Sequence, residues 1–361
     1  MTPTFAFSLP AKPYSIIDIT DPGKDLDDEQ KFLFLAGLTR AGVVDIKAVI
    51  TNLEPPLLRA RLAKGTFDIL GLNDIPVGIG TDCYKGGQNF ADETDVPYLA
   101  DASSVVNGYE LLEKTLCEAD DSSMIIMLKS GLTDAAQLLQ KDPNLFVQKV
   151  AHVTIMGGVK VLDPHTPLLV DGKLVPDDAA NNTFDPASAE YLYHTLQELK
   201  VPMTIIMRPA CYAAQFPIRL YEEFAATGNP VGLSLRDRQK TSIQHLWQAT
   251  LSPEGSPLRG TLPTNRNRAW FVKVFCDDKD PGIGFDDEIW PFVLTYNQYD
   301  PMAVLAAIPE LRDHFYECLE VVVNGVTHRI IGLSSEMTGV KDKEELIKFV
   351  SEMELGALKK V

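Results

Sequence analysis

The sequence predicts an α/β fold in which a mostly parallel sheet is covered by helices. Three observations carry this: short Val/Ile-rich runs alternate with longer Ala/Leu-rich segments, turn residues separate them, and the first strand-to-helix junction is crowded with carboxylates. In open sheets of this kind ligands bind beyond the carboxyl ends of the strands, so that junction is the first candidate site.

Taken in order, YSIIDI reads as a short buried strand, DEQKFLFLAGLTRAG as an amphipathic helix closing on Gly42, and VDIKAVIT as a second strand, together one βαβ unit. The alternation continues with PPLLRARLAKGTFDILG (helix), IPVGIGT (strand), VVNGYELLEKTLCEA (helix), SMIIMLKS (strand), TDAAQLLQKDPNLFVQK (helix) and HVTIMGG (strand). DPASAEYLYHTLQELK and PMTIIMR add a helix and a strand. Residues 216–296 then turn more helical and irregular, and the expected organisation is a single domain over 1–361 with 216–296 as an insertion or lid region. YDPMAVLAAIPEL reads as a helix, FYECLEVVVNG and VTHRIIGLS as a closing β pair, and KDKEELIKFVSEMELGALKK as a terminal helix.

A chain of 361 residues can bury a large core without staples. Its net charge of −17, with no Lys/Arg cluster, opposes nucleic-acid polymers and acidic membrane surfaces and leaves small or cationic ligands. Five scattered cysteines show no C-x-x-C spacing, which argues against zinc and redox pairs and fits a reducing, cytoplasmic setting. No Sec-type leader is expected in MTPTFAFSLPAKPYS, and no apolar run is long enough for a membrane span.

The junction is the stretch IIDITDPGKDLDDEQ, with Asp18, Asp21, Asp25, Asp27 and Asp28 around a Pro-Gly turn. Helix capping accounts for Asp25 and for Asp28 or Glu29, because carboxylates are welcome in a first helical turn. It does not account for Asp21 and Asp27 as well, since carboxylates about 4–6 Å apart raise one another's pKa. A divalent cation with oxygen ligands removes that cost. Metal binding and capping both remain open on spacing alone.

TDPGKDLDD resembles the Asp-x-Asp-Pro-Gly-x-Asp-Asp loop of the calcium-dependent nucleoside hydrolases, the inosine/uridine-preferring N-ribohydrolases. Further segments in the same order strengthen the likeness: VITN with Asn52, LKSGLTDAA, VTIMGG, NNTFDPASA, and YDPMAVLAA with Asp300. The resemblance, to a divergent member, implies a Rossmann-like, nucleoside hydrolase-like fold. It also implies a Ca²⁺ cofactor and hydrolysis of the N-glycosidic bond of a ribonucleoside or related ribosyl compound, as in purine or pyrimidine salvage. By motif position it gives Asp21 as metal ligand and water-activating base, Asp28 and Asp300 as metal ligands, and the main-chain carbonyl of Lys129 as a fourth. Asp27 is implied for the ribose hydroxyls, with Asn52 and Asn181 or Asn182 as looser sugar contacts. A homo-oligomer is left open.

The chain also departs from that pattern. Lys24-Asp25-Leu26 replaces a single position, so Asp25 competes with Asp27 for the sugar, and Ile19 stands where the first aspartate is expected, with Asp18 one residue earlier. Tyr299 occupies the place where several members carry a leaving-group histidine; a phenol is the weaker acid at neutral pH, but it can still donate a hydrogen bond to the departing base or stack on it, so Tyr299 stands beside Asp21 as a catalytic candidate. Ala179 stands where a glutamate is expected, beside Asp178. A catalytically weak or inactive ribosyl-ligand or nucleotide-binding protein of the same fold is therefore the alternative function. Asp300 before Pro301 also suits a helix start, and Asn181 and Asn182 also suit a loop. An aspartate-nucleophile phosphatase is disfavoured by Pro22 and by the Asp300 segment. His165, Trp247 and Trp270 carry no weight as site residues, a lone loop histidine belonging to the surface and such aromatics to a core.

Overall fold

The computed structural model describes residues 10–23, 25–83, 96–260 and 262–359. Lys24 of the acidic junction, and the first nine residues of the segment read for a leader, lie outside the described residues. The chain divides into two compact units, Met1–Ala214 with Tyr299–Ala357, and Gln215–Gln298 with Leu358–Val361.

In the first unit, six strands are β1 (Tyr14–Thr20), β2 (Val44–Thr51), β3 (Val77–Ile79), β4 (Val106–Asn107), β5 (Met124–Leu128) and β6 (Val150–Met156). With Met203–Ile206, Leu319–Val323 and Val326–Ile331 they make a nine-stranded sheet. Its order is Leu319–Val323, Val326–Ile331, Met203–Ile206, β6, β5, β1, β2, β3, β4. All pairings are parallel except that of Leu319–Val323 with Val326–Ile331, the closing pair at one edge. Helices connect most of the parallel strands among the described residues, as the α/β reading requires.

Strand alternation divides β1 between two environments. Ile17 and Ile19 enter the core with Ile126, Leu128, Val153 and Ile205, whereas Asp18 and Thr20, equally buried, point to the other face. Helix α1 (Asp27–Arg40) follows, and it is not amphipathic as the sequence suggested: every residue from Asp27 to Leu38 is buried. The polar residues that imitate a solvated face instead meet charged partners inside the protein.

Two further expectations change. The segment 133–149 is two helices, Thr133–Lys141 and Pro143–Lys149, because Pro143 cannot continue the first and Asp142 caps the second through Leu145 N–H. Val106–Asn107 is an edge strand rather than helix, and Asn107 caps the helix Gly108–Glu118 through Glu110 N–H.

The second unit holds the helices Arg219–Ala226, Pro230–Leu251 and Arg268–Phe275 around a core of Trp247, Phe271, Phe275 and Ile289. Trp247 is fully buried there and Trp270 packs against the same cluster, while His165 of the first unit is exposed beside Glu336. All five cysteines are free. No helix among the described residues is long and apolar enough to cross a membrane.

Candidate functional site

β1 lies in the sheet between β2 and β5, and the chain leaves its carboxyl end through Asp21-Pro22-Gly23, with Gly23 at φ 119°, a backbone region open chiefly to glycine. Arg59, fully buried on helix α2 (Pro56–Ile69), holds this bend. Its guanidinium donates to the carbonyls of Asp21, Pro22 (2.8 Å) and Glu54 (3.2 Å). α1 then begins after Leu26 with no side-chain cap, so the capping role read for Asp25 is not what the helix start shows.

Asp27 instead caps a different helix. Its Oδ2 accepts from the N–H groups of Tyr299 (2.9 Å) and Asp300 (3.1 Å), at the start of the helix Asp300–Ala307, where no local side chain does so. Asp300 is itself the first residue of that helix rather than its cap. This pairing brings the late Asp300 segment against the early acidic bend.

Beneath the bend lies a buried charge network. The Lys31 ammonium, one turn along α1 from Asp28, lies 3.0 Å from Asp18 Oδ2, 3.4 Å from Asp300 Oδ2 and 3.5 Å from Asp28 Oδ1, and it also contacts the Thr20 hydroxyl. Thr20 donates in turn to Asp28, and Lys129 pairs with the other oxygen of Asp18. Burial alone raises a carboxyl pKa, yet the two ammoniums hold Asp18 below its ordinary value. Burial lowers Lys129, whereas for Lys31 the three carboxylates outweigh burial and push the pKa up.

Above this network is a cleft of about 260 Å³, just below the usual range for small-molecule sites. Asp21, Asp25, Asp27, Asp28 and Asp300 line it together with Lys129, Asn181 and Tyr299. Burial and the neighbouring Asp28 raise Asp21 and Asp300 well above the usual carboxylate range. Burial, then Asp28 and Asp25, push Asp27 up to about 7 against the pull of its two backbone donors. Burial, then Tyr212, raises the Tyr299 phenol, which therefore stays protonated as a hydrogen-bond donor. Tyr212 and Tyr299 meet edge to face at 6.3 Å.

Two residues read from the sequence as sugar contacts do not line the cleft. Asn52 is fully buried and donates to Gly131 O and Asp134 Oδ2, both at 2.8 Å, and Asn182 donates to Gly158 O and Asp177 Oδ1, both at 3.0 Å. Their amides hold loops together. Asn181 does line it, its amide donating to Met156 O.

No family model matches the sequence, and no curated protein matches it. Among solved structures, the effector protein XOO4466 is 29% identical with a TM-score of 0.81, covering 97% of this chain and 95% of its own. The type III effector protein XopQ, complexed with adenosine diphosphate ribose, is 30% identical with a TM-score of 0.80 at the same coverage. This chain belongs to the XopQ-like family. A purine-preferring ribonucleoside hydrolase from Gardnerella vaginalis has the same fold at 14% identity and a TM-score of 0.57, covering 95% of this chain. The XopQ-like chain thus has the nucleoside hydrolase-like fold that its strand-end motifs implied.

The cleft of this XopQ-like protein also holds residues that sequence reasoning missed: Phe184, Arg208 and Tyr212. Arg208 and Tyr212 follow the strand Met203–Ile206, so the rule that ligands sit at strand carboxyl ends was the available signal. Lys31 was missed because a lysine after three acidic residues imitates a solvated helix face.

The calcium implied by the sequence resemblance does not fit the carboxylates as they are arranged. Asp28 and Asp300, two of the expected ligands, face the Lys31 ammonium, and Lys129 brings its own ammonium to Asp18 rather than acting through its carbonyl alone. Among the described residues Asp300 Oδ2 accepts no hydrogen bond, but the Lys31 charge lies 3.4 Å from it. Among the described residues no group of three or more His, Cys, Asp or Glu side chains is placed to hold a metal ion.

Proposed function

We propose that this cleft binds a ribosyl compound carrying phosphate, of the class of ADP-ribose. The observation that carries the reading is the meeting, in one cleft, of a carboxylate group with an arginine. Carboxylates accept hydrogen bonds from vicinal ribose hydroxyls, and a guanidinium takes phosphate in a two-pronged grip. Arg208 suits that task because its nearest acid, the exposed Asp178, lies 3.8 Å away, a pair too solvated to hold it. Tyr212 and Tyr299 offer aromatic faces and edges to a base. The relative complexed with ADP-ribose supports the same class of ligand.

Calorimetric titration with adenosine, AMP and ADP-ribose tests this. The phosphate-bearing ligands are expected to bind at least ~10-fold more tightly than adenosine, and Arg208→Ala is expected to abolish that preference, a loss of ~1.5–3 kcal/mol, while adenosine binding stays within about twofold. Equal binding of all three before and after the substitution overturns the reading.

Hydrolysis of the N-ribosyl bond is the second reading, favoured by Asp21 and Asp27, a pair of carboxyl groups able to accept a proton from water and to stabilise a cationic sugar. Chromatography of the same mixtures separates the two: free base accumulating over many turnovers establishes hydrolysis, and intact ligand leaves binding.

A further inference from the structure

We propose that Lys31 is a built-in cation: its tethered ammonium does in this chain what a divalent ion does in a metal-dependent site, so the acidic cleft is charge-balanced and competent without metal. The argument is one of place. Lys31 is fully buried, and its ammonium lies among Asp18, Asp28 and Asp300 at 3.0–3.5 Å, with the Thr20 hydroxyl as a further contact. An ammonium directs three protons at such oxygens, whereas calcium requires six to eight oxygens at about 2.3–2.6 Å. The same oxygens cannot serve both, and the fixed charge repels an incoming ion.

The position is built rather than incidental. Asp28 and Lys31 are three residues apart on α1 and so share a face, while Asp18 and Thr20 share the face of β1 turned toward them. The late Asp300 arrives through its own helix, tied down by Asp27. Three carboxylates from three segments therefore surround a fully buried lysine. Lys129 adds a second positive charge on Asp18 and lines the cleft.

The inference needs no ligand and stands apart from the ribosyl reading. Its test is Ca²⁺ titration of the full chain by calorimetry, with thermal unfolding in EDTA and in excess Ca²⁺. The wild-type protein is expected to show no saturable Ca²⁺ binding tighter than ~0.1 mM and the same Tm in both solutions. Lys31→Met, which keeps the length of the side chain and removes its charge, is expected to gain Ca²⁺ affinity by at least ~10-fold and to unfold at higher temperature with Ca²⁺ than with EDTA. Stoichiometric, micromolar Ca²⁺ binding by the wild type overturns the inference, as does a folded Lys31→Met protein that gains no affinity. Should that variant fail to fold, the wild-type titration decides alone.

Discussion

Asp18→Asn is expected to cost about 3–5 kcal/mol of folding stability at neutral pH, read as a fall in the urea midpoint with little change in slope. The substitution keeps the shape of the side chain and removes the one carboxylate that both buried ammoniums share. Lys31 retains Asp28 and Asp300, but Lys129 loses its ion pair while remaining 2% exposed. The double variant Asp18→Asn, Lys129→Met is then expected to recover a large part of the loss, because an unmet buried charge costs more than a missing pair. A loss under about 1 kcal/mol in the single variant would show that the network contributes nothing to the fold. The sign with pH follows from the depressed pKa of Asp18: its contribution is present above the ordinary aspartate range and disappears as the medium becomes acidic enough to protonate the folded form.

Asp27→Asn is expected to act in the opposite pH window. Asp27 titrates at about 7 in the folded protein against 3.8 ordinarily, so folding favours its protonated form. The stability it contributes is complete below about pH 4 and is lost as pH rises through 7. At ~1.4 kcal/mol per pH unit that difference amounts to at most ~4 kcal/mol. The wild-type Tm is therefore expected to decline from pH 5 to pH 8, and Asp27→Asn to flatten the decline, since its amide oxygen still accepts from Tyr299 and Asp300 N–H. Thermal unfolding at several pH values checks this; parallel profiles for the two proteins would count against the assignment. Ribosyl affinity at pH 8 is expected to fall in the same variant, as the hydroxyls lose a charged acceptor.

The parts of this architecture legible in the sequence are those written in local signals. Apolar runs separated by turn residues marked the strands, Pro22-Gly23 marked the bend, and Asp300-Pro301 marked a helix start near the site. Eight of the ten residues singled out as site candidates line the cleft, because strand ends converge wherever a parallel sheet is covered by helices. What escaped depends on partners distant in the chain. Nothing near Lys31 announces that Asp18 and Asp300 will flank it, nor does the sequence around Arg59 announce the carbonyls of a bend 37 residues earlier. Asn52 and Asn182 carried the right chemistry, yet a buried amide must first satisfy its own hydrogen bonds, and the loops around Gly131 and Gly158 claim them.

The bond from the Tyr299 and Asp300 amides to Asp27 spans 272 and 273 residues, and it bears on how the protein is made. While the ribosome is still producing the middle of the polypeptide, the early aspartates have no late helix to hold and remain hydrated. The cleft acquires its final shape only after the segment around residue 300 has emerged, which makes its completion a late event in the life of the nascent chain.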